Sequence, residues 1–134
     1  MTPHEITEAL HEAIRLKLSG WELLLDTERA VAECNGIGAA WMGKLCKFFN
    51  FLLPSLVTAS AIHDMRYFQN KNDRHQWDDE FENNCRIIIR SKYHWYNPGR
   101  YAAFYLAHKM RIALYIGGEI AWNQAKGKHK NDNT

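Results

Sequence analysis

The chain has 134 residues, enough for one domain around a single modest core. Hydrophobic residues at 46% against 24% charged exclude wholesale disorder. With 17 Lys and Arg against 15 Asp and Glu, a net charge of +2 gives no electrostatic case for nucleic acid as the main partner.

The longest apolar stretch, Phe51 to Ile62, is broken by Pro54, Ser55, Thr58 and Ser60 and is too short to span a bilayer. Met1-Thr2-Pro3-His4-Glu5 has no basic leader before an apolar run, so no signal peptide is expected. Cys34, Cys46 and Cys85 form an odd set without C-x-x-C spacing. They read as small buried thiols in a reducing compartment, which places the protein in a cytoplasm. Five Trp, six Tyr and six Phe mean that the core is aromatic or that some rings face something other than water.

Thr2-Pro3-His4-Glu5 is a helix start: Thr2 caps, Pro3 suits the first helical position and Glu5 completes a capping box. Ile6, Leu10, Ala13, Ile14 and Leu18 then share one face, and Ser19-Gly20 interrupts it. Trp21 to Glu33 reads as helical, although Trp21-Glu22-Leu23-Leu24-Leu25 also suits an extended segment. Cys34-Asn35-Gly36-Ile37-Gly38 is a loop whose glycines free the backbone. A helix is expected over 39–53, with Trp41, Leu45, Phe48 and Leu52 at helical spacing, and another over 55–69. After a polar connector, Asn70 to Arg74, a helix over 75–92 carries Trp77, Phe81, Cys85, Ile88 and Ile89 on one face. Asn97-Pro98 opens the last long helix, which leads to Gly117-Gly118. Beyond Trp122 the basic run from Lys126 reads as a solvated, disordered tail. The expected architecture is all-α.

Three groups could carry chemistry. On a helix, Tyr67 lies one turn beyond His63 and Asp64, whose own side chains point about 100° apart. One of that pair could then act as a base while the other grips a metal. Taken alone, this is also an ordinary helix-surface His and Asp with a packed Tyr. Asp78-Asp79 in a first helical turn suits the helix dipole. Yet the short connector favours antiparallel neighbours, where such an acid would face and orient His63. The carbonyls of Asn35-Gly36-Ile37-Gly38 are hard oxygen donors suited to Ca²⁺, although a lone G-x-G is usually a turn.

The order of these motifs resembles the calcium-dependent phospholipase A(2) superfamily. Cys34-Asn35-Gly36-Ile37-Gly38, then Ile62-His63-Asp64-Met65-Arg66-Tyr67, Asp78-Asp79-Glu80-Phe81-Glu82-Asn83-Asn84, Ala103-Phe104-Tyr105 and Gly117-Gly118-Glu119-Ile120-Ala121-Trp122 are similar to small phospholipase A(2)-like proteins of bacteriophages and their bacterial hosts. The resemblance covers residues 33 to 123. It implies an all-α fold with two long antiparallel helices carrying the His-Asp site. The division it suggests is an N-terminal helical extension (1–33), a phospholipase A(2)-like domain (34–123) and a disordered basic tail (124–134).

The implied activity is calcium-dependent hydrolysis of phospholipid sn-2 esters, with a phospholipid membrane surface as partner. His63 would be the general base, Asp78 the acid that holds its far nitrogen and Tyr67 the donor to that acid. Asp64 and the carbonyls of Gly36 and Gly38 would be Ca²⁺ ligands. The implied setting is a bacterial host cytoplasm or a virion. Ile37 and Ala61 stand where secreted relatives carry cysteines, Ala39 ends the glycine run early, and about 24 residues separate Gly38 from His63, longer than in the secreted enzymes.

Phe49 or Phe51 beside Lys44 and Lys47 suits a lipid interface, but burial of that helix within the domain is the better explanation of aromatics on several sides. Two other readings stand beside the hydrolase. One is a non-catalytic structural or interaction module on the same scaffold. The other is a His-Asp metal phosphohydrolase using His4 or His11 with His63-Asp64, which leaves the glycine loop and Tyr67 without a role.

Overall fold

The computed structural model describes residues 1–34 and 56–132. The Asn35-Gly36-Ile37-Gly38 loop, the expected helix over 39–53 and Cys46 lie outside them. Among the described residues the structure is all-helical, without strands. Helix α1 spans Pro3–Leu16 and is followed by a 3-10 helix, Trp21–Leu25, and by α2, Thr27–Glu33. Then come α3, Val57–Gln69, α4, Arg74–Lys92, and α5, Pro98–Asp132. Among the described residues no helix is long and apolar enough to cross a membrane.

The start of α1 is built as its sequence predicts. The Thr2 hydroxyl accepts the Glu5 backbone N–H at 3.2 Å, and the Glu5 carboxylate accepts that of Thr2 at 2.7 Å. Those bonds hold the Glu5 carboxyl below its ordinary value. The segment Trp21–Leu25 is neither extended nor α-helical but a tight 3-10 helix, entered through Gly20 at φ +85°. A Cβ on Gly20 would sit 2.8 Å from Ile62 Cγ2, so α3 passes too close for any other residue.

The helices of the first 33 residues contribute side chains to the main core. Ile6, Ala13, Leu18 and Leu24 pack in one cluster with Ile62 of α3, Phe81 and Ile88 of α4 and Ala107 of α5. Polar contacts pin the same region to α4. Asn84, 1% exposed, accepts the Ser19 N–H at 3.0 Å and donates to the Ser19 carbonyl at 2.9 Å. Glu80 accepts the Ser19 hydroxyl and is gripped at both oxygens by the Arg66 guanidinium, each bond 3.0 Å.

Helix α4 packs against α1, α3 and α5. The link from α3 to α4 is residues 70–73. Asn70 closes α3 in the left-handed conformation, and the Asp73 carboxylate caps α4 by accepting the His75 N–H at 3.2 Å. Helix α5 does not stop near Gly117-Gly118, and the region expected as a disordered tail from 124 is helical through Asp132. Trp122 and Ala125 keep an inward face. The Asn70 amide donates to the Trp122 carbonyl at 2.9 Å, Lys128 reaches Glu33 at 3.2 Å, and the His129 ring meets the Phe68 carbonyl. These anchors on α2 and α3 give the basic run a surface to follow.

Candidate functional site

The short link between α3 and α4 brings His63 and Tyr67 of one helix against Asp78 of the other. His63 Nε2 lies 2.8 Å from Asp78 Oδ1, and the Tyr67 hydroxyl donates to the same oxygen at 2.7 Å. All three are buried, Asp78 to 1% exposure. A carboxylate only accepts, so Nε2 carries the proton and donates. That fixes the tautomer and leaves the Nδ1 lone pair as the basic nitrogen. The ring is clamped by Tyr67 and Phe81, centroids 4.2 and 5.3 Å away. Burial, then the Asp78 charge, pushes the Tyr67 hydroxyl far above its ordinary value, so it remains a donor.

The second Asp78 oxygen has no hydrogen-bond partner among the described residues. Arg74, one turn earlier on α4, faces it with Nη1 at 3.5 Å, and His75 Nδ1 stands 3.8 Å away. Arg74 therefore supplies the positive charge that a buried carboxylate needs. The guanidinium is held in turn by α5, donating to the Leu114 carbonyl at 2.7 Å and the Tyr115 carbonyl at 3.2 Å. Gly118 makes this approach feasible: a Cβ there would meet the Tyr67 hydroxyl at 2.6 Å and Arg74 Nη1 at 2.8 Å. Trp122 closes the end edge-on to Tyr67, ring centroids 5.3 Å apart.

Asp64, the next residue along α3, is half-buried, and its charge is felt by the Cys34 thiol. Burial first, then the Asp64 charge, pushes the Cys34 thiol up to about 12. The thiol rests on the same helix, donating to the Ala61 carbonyl at 3.4 Å. Gly36 and Gly38 lie outside the described residues. Of the implied Ca²⁺ ligands only Asp64 is among the described residues, and its carboxylate is a hard oxygen donor of the kind that ion takes.

The neighbouring acids diverge. Asp79 points outward to Arg111, whose Nε donates to it at 2.6 Å. His4 sits on the exposed side of α1 beside Glu8, and His11 is also exposed, while His63 is buried. Among the described residues no three His, Cys, Asp or Glu side chains gather as a metal-binding group.

Arg74, Gly118 and Trp122 complete the site and were not singled out as functional from the sequence. The one signal present was Gly117-Gly118 inside an otherwise helical pattern, where a glycine usually has a packing reason. No family model matches the chain, and no curated protein or solved structure matches it either.

Proposed function

We propose that the chain is a calcium-dependent phospholipase A(2)-like hydrolase of phospholipid sn-2 esters, acting at a membrane surface. The observation that carries this reading is the buried relay in which Asp78 and Tyr67 fix His63 through Nε2 and leave Nδ1 as the base. Nδ1 takes a proton from water as the oxygen attacks the sn-2 carbonyl carbon. The imidazolium so formed faces Asp78, and it returns the proton to the leaving glycerol oxygen as the ester bond breaks. A positioned base of this kind contributes roughly 10²–10⁴-fold. Asp64 and the carbonyls of Gly36 and Gly38 would hold Ca²⁺, which when bound supplies positive charge for the substrate phosphate and the developing oxyanion. The packing of α3 against α4 around the His63–Asp78 contact supports the same assignment.

A second reading has its own observation. Asp78 ties α3 to α4 and, through Arg74, to α5, so the network would also serve a non-catalytic scaffold. Fatty-acid release from mixed phospholipid vesicles, with and without Ca²⁺, separates the two. Release that needs Ca²⁺ and disappears in folded His63→Gln and Asp64→Asn is the result expected of the hydrolase. A well-folded wild type that releases no fatty acid and binds no Ca²⁺ by calorimetry is a scaffold.

A further inference from the structure

Helix α5 carries apolar side chains on two opposite faces, and among the described residues only one is covered. Ala103, Ala107 and Met110 are buried against the core. At 3.6 residues per turn, Tyr101, Tyr105, Lys109, Ile112, Ile116 and Ile120 fall together on the other side. Tyr101, Tyr105, Ile116 and Ile120 are 60%, 61%, 77% and 63% exposed. The turn before α5 continues the stripe. Trp95 is 72% exposed, its ring meets that of Tyr96 with centroids 5.7 Å apart, and its carbonyl accepts the Tyr101 hydroxyl at 2.9 Å. Single exposed apolar residues are ordinary, but a contiguous stripe marks an interaction surface.

A cluster of cations adjoins it. The guanidiniums of Arg86, Arg90 and Arg100 lie 5.4, 5.7 and 5.6 Å from the centroid of the Phe104 ring, which itself packs edge-on against Tyr101. Arg86 is paired with Glu82. Among the described residues, Arg90 and Arg100 have no carboxylate partner within 4.0 Å, and Arg100 Nε is buried without an acceptor. The sequence accounts for this: no Asp or Glu occurs from Asn83 through Gly118, a stretch that holds Arg86, Arg90, Lys92, Arg100, Lys109 and Arg111.

A second copy of the chain would set these cations against one another across a symmetric contact. Nucleic acid would draw on a broad positive field that a net charge of +2 does not supply, and it has no use for the isoleucines. An anionic bilayer uses every part. Trp and Tyr sit at headgroup level, aliphatic side chains reach the acyl boundary, and Arg and Lys meet lipid phosphates. The geometry points to α5 and its preceding turn as a docking surface for an anionic phospholipid bilayer. Trp95, Tyr105 and Ile116 enter the interface, and Arg90 and Arg100 bind headgroup phosphates. The hydrolase reading already sets the protein at a membrane surface; what is added is the face that meets it, and docking through α5 needs neither Ca²⁺ nor His63.

The test is sedimentation with vesicles of phosphatidylcholine, alone or mixed with phosphatidylglycerol, in EDTA. Wild type is expected to bind the anionic vesicles at least about tenfold more tightly than the neutral ones. The pairs Tyr105→Glu with Ile116→Glu, and Arg90→Glu with Lys109→Glu, are each expected to weaken that binding about tenfold or more, with unchanged helicity and urea midpoint. Undiminished binding by folded variants, or no preference of wild type for anionic vesicles, overturns the proposal. So does tighter binding to a single-stranded oligonucleotide, or a solution dimer that Tyr105→Glu with Ile116→Glu dissociates. Because EDTA removes Ca²⁺, absence of fatty-acid release bears on the hydrolase alone.

Discussion

Replacing Gly118 by Ala tests whether the three helices close on the site as tightly as the structure shows. In an ordinary helical position this change stabilises, by about 0.8–1.0 kcal/mol, because alanine loses less backbone entropy. Here the new methyl would sit 2.6 Å from the Tyr67 hydroxyl and 2.8 Å from Arg74 Nη1, both well inside contact distance. The Arg74 end can swing aside, but Tyr67 Oη is the tip of a rigid ring bonded to Asp78. Either α5 moves out or that bond stretches. Overpacking costs roughly 1–3 kcal/mol, and a hydrogen bond to a charged group is worth about 1.5–3 kcal/mol. Set against the propensity gain, the net destabilisation is about 2 kcal/mol, read as a lower urea midpoint at constant m. In a Tyr67→Phe background the nearest Tyr67 atom is Cζ at 3.6 Å, an ordinary contact. The same substitution should then cost about 1 kcal/mol or less, a coupling that a double-mutant cycle detects. A Gly118→Ala protein that is more stable than wild type, or equally destabilised in both backgrounds, would refute the close approach.

Asn84→Ala removes both part-buried bonds to the Ser19 backbone and is expected to cost about 1–3 kcal/mol in urea unfolding, the net worth of two hydrogen bonds. Cys85 is fully buried, and burial pushes its thiol far above the ordinary value. A raised value in the folded state means a contribution present below the unfolded thiol value, about 8.5, and lost progressively as pH rises above it. Urea midpoints should therefore fall on the alkaline side, and Cys85→Ala should flatten that limb while lowering the plateau.

What could be read from the chain was what depends on near neighbours. Thr2, Pro3 and Glu5 act within one turn, so the start of α1 is a local matter. The meeting of His63 with Asp78 follows from helical period and a short link, which leave two helices little choice but to lie side by side. Gly117-Gly118 is different. Local propensity makes it a helix end, whereas Arg74 and Tyr67, more than forty positions away, make it the place where α5 must come close. The same holds for Asn84, which holds Ser19 across 65 positions, and for the basic end of α5, which looks solvated until Glu33 and Phe68 are set beside it. Ser19-Gly20 announces a break but not its partner on α3.

Structural and catalytic roles of the His63 network can be pulled apart because they use different nitrogens. Nε2 holds Asp78 and so helps join α3 to α4, which leaves Nδ1 as the nitrogen to act as base. A glutamine amide nitrogen reaches about as far as Nε2 and can donate to Asp78 Oδ1, but it offers nothing basic in place of Nδ1. His63→Gln should therefore cost about 1 kcal/mol or less in urea unfolding, whereas His63→Ala removes one of the hydrogen bonds to Asp78 and should cost about 1.5–3 kcal/mol through that bond alone. For a hydrolase, both variants abolish fatty-acid release, by roughly 10²-fold or more, although only one is unstable. For a scaffold, Gln is simply tolerated. Were His63→Gln as damaging to stability as His63→Ala, the bond through Nε2 would not be what the ring contributes, and the tautomer assigned to His63 would fall with it.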